Sequence, residues 1–499
     1  MNELIKATVN GELRFVRKGL PLSEIIAGEK PCGGHGKCGK CRVLAKGTLS
    51  SPSEAERELL TKEELESGIR LSCCTIAEGS CEIISLTKSA EAQILTDGRR
   101  AEIELDPIFT QYGAAIDVGT TTLAARLYDR CGNVIASASR LNPQSCFGDD
   151  VISRIEAALG GKRDELAFLI RNSLDGMLSE LASVAKIDTQ NIDAVTVTGN
   201  TVMLSFLVCE DVTPFSRAPF KAKRLFDEEV KAKTLGFTSL APDTPIYLPP
   251  CISAFVGADT VCALLATELD KKGTAMLVDI GTNGEMAILY GGKLTVTSTA
   301  AGPAFEGVGI SMGMRGAVGA VDKVTLVNGK PYVHVIGEGR ATGICGSGLV
   351  DAVSCMLDCE TVDETGALDD DPFTLCEGVS ITGADIRKLQ LAKSAICAGL
   401  VTLVENAGID PEDVTVLYIA GGFGNYLNKK SAQRIGLLPK KLAERSETVG
   451  NAALEGAGML LLDASMRKKA VKLAERAEAL ELSTHKGFSE HFIMGMMFE

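Results

Sequence analysis

The sequence predicts a small α+β domain followed by a larger, two-lobed α/β domain. Three observations lead to this fold class. A cysteine-rich loop at residues 32–41 lies between short strand patterns. An apolar strand ending in Asp-x-Gly-Thr occurs twice, at Asp117 and Asp279, and a later strand ends in a glycine-rich loop that begins at Gly421. Such a repeat indicates two related halves that face each other across one cleft.

Composition is that of an ordinary globular protein and argues against two classes of partner. The 499 residues are 45% hydrophobic and 23% charged, as expected for several packed domains. The net charge of −14 argues against nucleic acid, because phosphate binding needs a positive field. Without a bilayer-length apolar run or a basic-then-apolar leader, we expect a cytoplasmic protein with no membrane partner. We therefore expect the sixteen cysteines to stay free of disulfides.

The first 88 residues are predicted to form one domain built around a cysteine loop. The chain begins with a hairpin about Asn10-Gly11, the strongest short hairpin signal. The loop that follows contains the run Cys32-x5-Cys38-x2-Cys41. Its glycines allow the backbone to wrap closely round an inorganic cluster and leave N–H groups free to bond the sulfides.

Three close cysteines and one distant cysteine are the arrangement of a [2Fe–2S] ferredoxin domain. The first gap of five residues resembles the adrenodoxin-like subtype rather than the plant type. Cys73 lies in an Arg-Leu-x-Cys sequence that matches the family's fourth ligand, and the adjacent Cys74 stays an alternative. Zinc is the other candidate, but zinc sites usually pair two close couples. The resemblance implies a ferredoxin-like β-grasp fold with a cluster on Cys32, Cys38, Cys41 and Cys73.

The two Asp-x-Gly-Thr turns are predicted to bind a phosphate chain. The first contains Asp117, Gly119, Thr120 and Thr121. A turn of this kind presents N–H groups and hydroxyls in a concave array, and a carboxylate beside it can hold Mg²⁺ through water. One such turn alone would be an ordinary hairpin. The prediction depends on the second turn, which contains Asp279, Gly281, Thr282 and Asn283.

Two glycine-rich loops complete the predicted nucleotide site. Gly346 and Ser347 open a helix in a loop that lacks the dinucleotide order G-x-G-x-x-G, and a helix N-terminus suits an anion. The loop after the last buried strand would let the backbone lie flat against a ring or ribose. Its glycines are Gly421, Gly422 and Gly424.

Two acidic residues at helix starts allow two interpretations each. Glu306 is expected to face the cleft as a catalytic carboxylate, although helix dipoles also favour acids in a first turn. Asp259 is either a polar cleft residue or a helix cap.

The two turns and the strand-Gly-Gly-x-Gly loop resemble the superfamily of actin, sugar kinases and heat-shock chaperone ATPases. The resemblance covers the chain from residue 113 onward. It implies duplicated ribonuclease-H-like lobes, 113–270 and 271–499, that bind ATP and Mg²⁺ between them. Residues 89–112 are expected to be a linker. The apolar tail around Phe492 and Met496 is expected to pack on the core or on a second subunit, which allows a homodimer through the ATPase domain.

The whole chain resembles the reductive activators of corrinoid proteins. The motifs that support this are Asp-Val-Gly-Thr-Thr, Gly-Asn-Thr-x-Met, Asp-Ile-Gly-Thr-Asn-Gly-Glu, Gly-Pro-Ala-Phe-Glu-Gly, Gly-x-Cys-Gly-Ser-Gly and Ala-Gly-Gly-Phe-Gly. The resemblance implies that an upstream low-potential donor supplies one electron, which passes through the cluster to the Co(II) corrinoid of a methyltransferase system. ATP use accompanies the formation of Co(I). Asp117 and Asp279 would organise Mg²⁺ and the attacking water.

The chain departs from this family's pattern in one respect. Some members have a further domain between the ferredoxin and ATPase parts, and Ser89 to Pro107 is too short for one.

Two other functions are compatible with the motifs. A small-molecule kinase with a regulatory iron–sulfur domain is the main alternative, and a redox-sensing ATPase is the other. The activators of acyl-CoA dehydratases share the lobed ATPase but lack a ferredoxin domain.

Overall fold

The computed structural model describes residues 4–9, 12–26, 36, 39, 41–85, 98 and 101–498. The chain divides into two compact units. The first is Met1–Glu91 with Ser145–Asp149, and the second is Ala92–Gln144 with Asp150–Glu499. Within the described ranges, no helix combines the length and apolar character that a bilayer crossing requires.

The described residues of the first unit form one mixed sheet and three short helices. Its strands are β1 (Leu4–Val9), β2 (Glu12–Arg17), β3 (Arg42–Leu49), β4 (Ile69–Leu71) and β5 (Ala77–Ser85). Its helices are α1 (Leu22–Ile25), α2 (Glu54–Leu59) and α3 (Lys62–Glu66). The strand order is β2-β1-β5-β3-β4 with β1 parallel to β5, as expected of the predicted β-grasp domain. Val9 pairs with Glu12, which confirms a hairpin, although Asn10 and Gly11 themselves lie outside the described residues.

The first lobe of the second unit is built on a six-stranded sheet. Its strands are β6 (Tyr112–Val118), β7 (Thr122–Tyr128), β8 (Val134–Leu141), β9 (Ile192–Gly199), β10 (Glu228–Lys231) and β11 (Pro245–Leu248). Its helices are α4 (Val151–Ala157), α5 (Arg163–Ala185), α6 (Thr201–Val208), α7 (Ala232–Leu235) and α8 (Ala258–Thr267). The order is β10-β11-β9-β6-β7-β8.

The second lobe has a larger set of strands and helices. Its strands are β12 (Ala275–Ile280), β13 (Asn283–Tyr290), β14 (Lys293–Ala300), β15 (Ala320–Val327), β16 (Lys330–Val335), β17 (Gly343–Ile344), β18 (Phe373–Cys376), β19 (Val379–Ile381), β20 (Val416–Ala420), β21 (Ser446–Gly450) and β22 (Ala477–Ala479). Its helices are α9 (Gly346–Asp358), α10 (Gly383–Ala407), α11 (Lys429–Arg434), α12 (Lys440–Glu444), α13 (Ala452–Leu462), α14 (Ala464–Arg476) and α15 (Lys486–Met494).

The main sheets of the two lobes have the same plan. The second main sheet has the order β21-β20-β12-β13-β14-β22. In each sheet the leading strand, β6 or β12, pairs with an antiparallel hairpin on one side and with a parallel strand, β9 or β20, on the other. This equivalence confirms the predicted duplication of lobes. It also places the ends of β6 and β12, and therefore both Asp-x-Gly-Thr turns, at corresponding positions.

Two helices join the lobes. Helix α13 belongs to the second lobe in sequence, yet it packs on α8, β6 and β9 of the first lobe. The helices approach so closely at Gly456 that an added Cβ would lie 2.0 Å from the carbonyl oxygen of Cys262. A buried ion pair, 2.7 Å between Arg126 on β7 and Glu455 on α13, adds a second connection.

The described part of the predicted linker follows this same helix. The N–H of Gly98 donates to the carboxylate of Glu455 at 2.9 Å, and the N–H of Ile108 donates to the carbonyl of Leu461 at 2.9 Å. Residues 101–112 are therefore ordered along the second unit. The rest of the linker lies outside the described residues.

The apolar tail packs on the core. Phe498 is buried, and its ring accepts a cation–π contact from the Lys393 ammonium, 4.9 Å away. The side chain of Gln390 donates to the carbonyl of Met496 at 2.9 Å. Of the two arrangements that the sequence allowed, the structure shows packing on α10, although Ile493 remains exposed. The homodimer stays a prediction.

We expect Gly456→Ala to lower the free energy of unfolding of the second unit by about 3 kcal/mol, because the new methyl group collides with backbone at the α8–α13 crossing. Urea unfolding checks this. Gly273→Ala is the matched control, because a Cβ at Gly273 meets nothing within 4 Å. Equal stability of the two variants would contradict the close helix crossing.

Candidate functional site

A cavity of about 460 Å³ lies between the two lobes of the second unit, a volume within the usual range of ligand sites. The ends of β6 and β12 border it, together with the starts of α8 and α9 and the loop after β20. Almost every predicted site residue of this unit lines it. They are Asp117, Gly119, Thr120, Thr121, Asp279, Gly281, Thr282, Asn283, Glu306, Gly346, Ser347, Gly421 and Gly422.

The first turn is held in place from behind by buried polar side chains. The carbonyl of Gly119 accepts a hydrogen bond of 2.9 Å from the Asn142 amide. The carbonyl of Thr120 accepts one of 2.6 Å from the fully buried Arg154. With these carbonyls bound on the far side, the turn is fixed. Its hydroxyls then face the cleft.

The second turn is closed by its own backbone. The N–H of Gly281 donates to the carbonyl of Asn283 at 3.0 Å, and the N–H of Gly302 donates to the carbonyl of Thr282 at 2.9 Å. In each turn, two carbonyl groups accept hydrogen bonds from within the protein, so these backbone groups are satisfied without a ligand.

A shared carboxylate joins the two turns across the cleft. One oxygen of Glu306 accepts hydrogen bonds from the hydroxyls of Thr121, at 2.6 Å, and Thr282, at 2.8 Å. The two hydroxyl oxygens are themselves 2.9 Å apart. One threonine comes from each lobe, so a single acceptor atom bridges the duplicated motifs.

Six carboxyl groups line the same cavity, and five of them interact electrostatically with one another. Those five are Asp117, Asp259, Asp279, Glu285 and Glu306. Burial, and then the charge of Asp259, raises the pKa of both Asp117 and Asp279 to about 7. Burial raises the pKa of Asp259 to about 6 and also raises the pKa values of Glu285 and Glu306. Among the described residues, no three acidic, histidine or cysteine side chains are arranged to hold a metal ion directly. The carboxylates therefore suit a hard cation such as Mg²⁺ only if it keeps several of its waters, and such a cation would relieve their mutual repulsion.

The glycine loops approach the site closely. Gly421 has a φ of +92°, and a Cβ there would lie 2.6 Å from a carboxylate oxygen of Asp279. A Cβ on Gly346 would lie 1.8 Å from the carbonyl oxygen of Phe305. Gly424 differs from the other predicted residues, because it does not line the cavity and instead packs on Ile419.

Three further residues line the cleft. Two of them were not predicted from the sequence, and the third, Asp259, had two possible interpretations. Asp259 lies in the cavity wall and also binds the N–H of Thr260 at 2.7 Å, so it is both a cleft residue and a helix-start acid. Glu285 follows the second turn on β13. The Asn451 amide donates to Asp117 at 3.1 Å, and Asn451 was not predicted to be a site residue. A polar residue at the N-cap of α13 was the one signal available.

Comparisons with known proteins agree with this architecture. Residues 112–272 match the family model described as the RACo middle region, and residues 273–499 match that of the C-terminal domain of RACo, the ASKHA domain. The corrinoid activation enzyme RamQ of Eubacterium limosum is 35% identical over 421 residues, which cover 78% of this chain and 70% of that protein. The chain belongs to the RACo family. The predicted resemblance to reductive activators is therefore confirmed, and so is an ATP-binding domain of the actin-like superfamily.

Two other proteins resemble this RACo family member over most of its length. The [Co(II) methylated amine-specific corrinoid protein] reductase of Methanosarcina barkeri is 26% identical over 425 residues, 78% of this chain and 77% of that one. The solved structure of a reductive activator for a corrinoid, iron–sulfur protein has a TM-score of 0.75 and 26% identity, and the match covers 99% and 98% of the two chains.

Two of the four cysteines predicted to hold a cluster in this RACo family member are described by the structure. The sulfur of Cys41 lies 3.2 Å from that of Cys73, and Cys74 lies 3.5 Å from Cys73. Neither distance is that of a disulfide, which is about 2.05 Å. Cys32 and Cys38 lie outside the described residues.

The acidic cleft predicts that stability depends on pH when no cation is bound. A carboxyl with a raised folded pKa stabilises the folded state at low pH, and this contribution is lost as pH rises from about 4 through about 7. In EDTA, Asp279→Asn should narrow the difference in unfolding free energy between pH 5 and pH 8 by about 2 kcal/mol. Chemical unfolding at the two pH values measures it.

Asp370→Asn is the control for this measurement, because Asp370 is an exposed acid outside the cavity lining. It should leave the difference unchanged. An equally wide difference in the Asp279 variant would contradict the account of mutual repulsion in the cleft.

Proposed function

We propose that this RACo family member uses ATP to drive one-electron reduction of a partner corrinoid protein from Co(II) to Co(I). The observation that supports this most is the contact of Thr121 and Thr282 with one Glu306 oxygen, in a chain related to named corrinoid activators. That contact makes one nucleotide site from two lobes. The electron comes from an upstream low-potential donor, and the partner belongs to a methyltransferase system.

The turns would bind the phosphates. Gly119, Thr120 and Thr121 offer N–H groups and hydroxyls from one lobe, and Gly281 to Asn283 offer them from the other. Gly421 and Gly422 border the remaining ligand, with Gly346 and Ser347 at the start of α9. Such a site accelerates phosphate hydrolysis by positioning and charge stabilisation rather than by covalent chemistry.

The carboxylates would hold Mg²⁺ and orient water. Asp117 and Asp279 lie beside the two turns, and Asn451 fixes Asp117 by its 3.1 Å hydrogen bond. When bound, Mg²⁺ supplies positive charge that offsets the charge of the phosphates. Asp279 and Glu306 would orient the attacking water.

Nucleotide binding would change the contact between lobes. Phosphate oxygens need the same hydroxyls of Thr121 and Thr282 that Glu306 now accepts. Nucleotide binding therefore replaces the contact of the two threonines with Glu306 by a contact of the same threonines with phosphate. Hydrolysis then removes the phosphate contact. A ligand shifts a conformational equilibrium only through such differences in affinity between states.

The first unit would hold a [2Fe–2S] cluster on Cys32, Cys38, Cys41 and Cys73. Two thiols 3.2 Å apart without a disulfide fit neighbouring ligands of one iron, and thiolate is the donor that iron–sulfur clusters require. When bound, the cluster supplies one-electron transfer. The family relationship favours this function over the small-molecule kinase.

Asp279→Asn should lower ATP turnover about 100-fold or more, because the variant loses a charge that positions the cation and water. Co(I) formation from a Co(II) corrinoid protein, reductant and ATP should be lost as well. The visible spectrum of the cluster should not change. Phosphate release and Co(I) absorbance measure the two activities, with Asp370→Asn as the control, and unimpaired turnover would remove Asp279 from the mechanism.

Adjacent cysteines allow a matched test of the cluster ligands. Cys73→Ser should lose most of the iron and all Co(I) formation but keep ATP turnover. Cys74→Ser should keep all three, because Cys73 is the residue whose sulfur lies 3.2 Å from Cys41. Iron and sulfide analysis of anaerobically prepared protein measures this. The opposite pattern would assign the fourth ligand to Cys74.

A further inference from the structure

One wall of the cavity contains a histidine–carboxylate pair that the proposed function does not use. Asp322 on β15 and His334 on β16 both line the cavity. The Nδ1 atom of His334 lies 2.6 Å from a carboxylate oxygen of Asp322. The pairing of β15 with β16 is interrupted between Val321 and Lys323, which is where Asp322 lies. Bulges of this kind redirect a side chain.

The pair fixes the tautomer of the imidazole. A carboxylate accepts hydrogen bonds, so Nδ1 carries the proton, and the Nε2 atom of the neutral ring is left as an acceptor. Among the residues that the structure describes, Nε2 has no hydrogen-bond partner. Side-chain exposure is 56% for His334 and 31% for Asp322, so the ring is accessible from the cavity and its orientation is held from the carboxylate side.

A series of contacts separates this pair from the acidic end of the cavity. Gly421 lies against Asp279, and Phe423 follows two residues later in the same loop. The Phe423 ring stacks on Phe305, with centroids 4.6 Å apart. Gly346 packs on the Phe305 carbonyl. The wall thus leads from the carboxylates, past the two aromatic rings, to the start of α9.

The last step of this series reaches the histidine. The Ser347 hydroxyl, beside Gly346, donates to the backbone carbonyl of Asp322 at 2.9 Å. Asp322 in turn holds His334. If the phosphates of a nucleotide bind at the two turns, beside the carboxylates, its nucleoside half extends along this wall toward His334.

We propose that His334 is a specificity-determining residue that accepts a hydrogen bond from the nucleoside half of ATP, and that Asp322 is its positioning residue. This inference rests on the proposed binding of ATP in the cavity. Adenosine offers two kinds of donor, the 6-amino group and the ribose hydroxyls. A 6-oxo purine presents an acceptor in place of the amino group, and an acceptor facing the lone pair of Nε2 makes no hydrogen bond.

His334→Ala should raise the KM for ATP about fivefold to tenfold, as expected for one hydrogen bond to a neutral group. The kcat should stay within about twofold, because a contact remote from the reacting phosphate stabilises ground state and transition state equally. Asp322→Asn should also weaken the selectivity for ATP over other nucleotides. An amide can donate or accept, so it no longer fixes the tautomer of the ring.

The experiment measures ATP, ITP and 2′-deoxy-ATP turnover by the full-length protein and three variants. They are His334→Ala, Asp322→Asn and His491→Ala. The last is the matched control, because His491 is also paired with a carboxylate, Glu405 at 2.7 Å, but does not line the cavity. Its KM for each nucleotide should equal that of the unaltered protein.

The nucleotide arms identify the group that is recognised. If His334→Ala abolishes the preference for ATP over ITP, the 6-amino group is the donor to His334. If it abolishes the preference for ATP over 2′-deoxy-ATP, the ribose 2′-hydroxyl is the donor. An unchanged KM for ATP in His334→Ala overturns the inference, as does a loss confined to kcat. Failure of the unaltered protein to bind ATP overturns the proposed function and this inference together.

Discussion

The organisation of the second unit depends on one carboxylate oxygen that accepts two threonine hydroxyls. Thr121 and Thr282 come from equivalent turns of duplicated lobes, and they meet at Glu306. This meeting is possible because β6 and β12 occupy the same place in their sheets, so their ends face each other. Helices α8 and α13 cross closely at Gly456, and each has a residue at its start that lines the cavity, Asp259 and Asn451 respectively.

The cleft concentrates negative charge where a nucleotide, itself an anion, would bind. Burial and mutual repulsion raise the pKa values of Asp117 and Asp279, so the folded state without a cation is less stable than its packing alone would allow. In the proposed function, Mg²⁺ would offset this negative charge when phosphate binds. An active site commonly carries such a destabilising arrangement because function requires it.

The sequence predicted those site residues that lie in local motifs. Asp117 and Asp279 were found because each lies at the end of an apolar strand and begins a turn, and the repeat removed the ambiguity of one turn. Glu285, Asn451 and His334 were not found as cleft residues. Each reaches the cavity only through the fold: Glu285 by the register of β13, Asn451 by the return of α13 to the first lobe, and His334 by its pairing with a strand bulge. No spacing along the chain encodes such contacts.

In the proposed function, the two units supply complementary chemistry: thiols for a one-electron carrier in the first, and a nucleotide site in the second. The central claim is that ATP turnover and electron transfer are coupled. The most direct test mixes reduced protein with one equivalent of Co(II) corrinoid protein, with and without Mg-ATP, and records Co(I) absorbance and phosphate release in the same sample. The account predicts that both signals rise together and that neither rises without ATP. Equal Co(I) yield at an equal rate in the absence of ATP would contradict it.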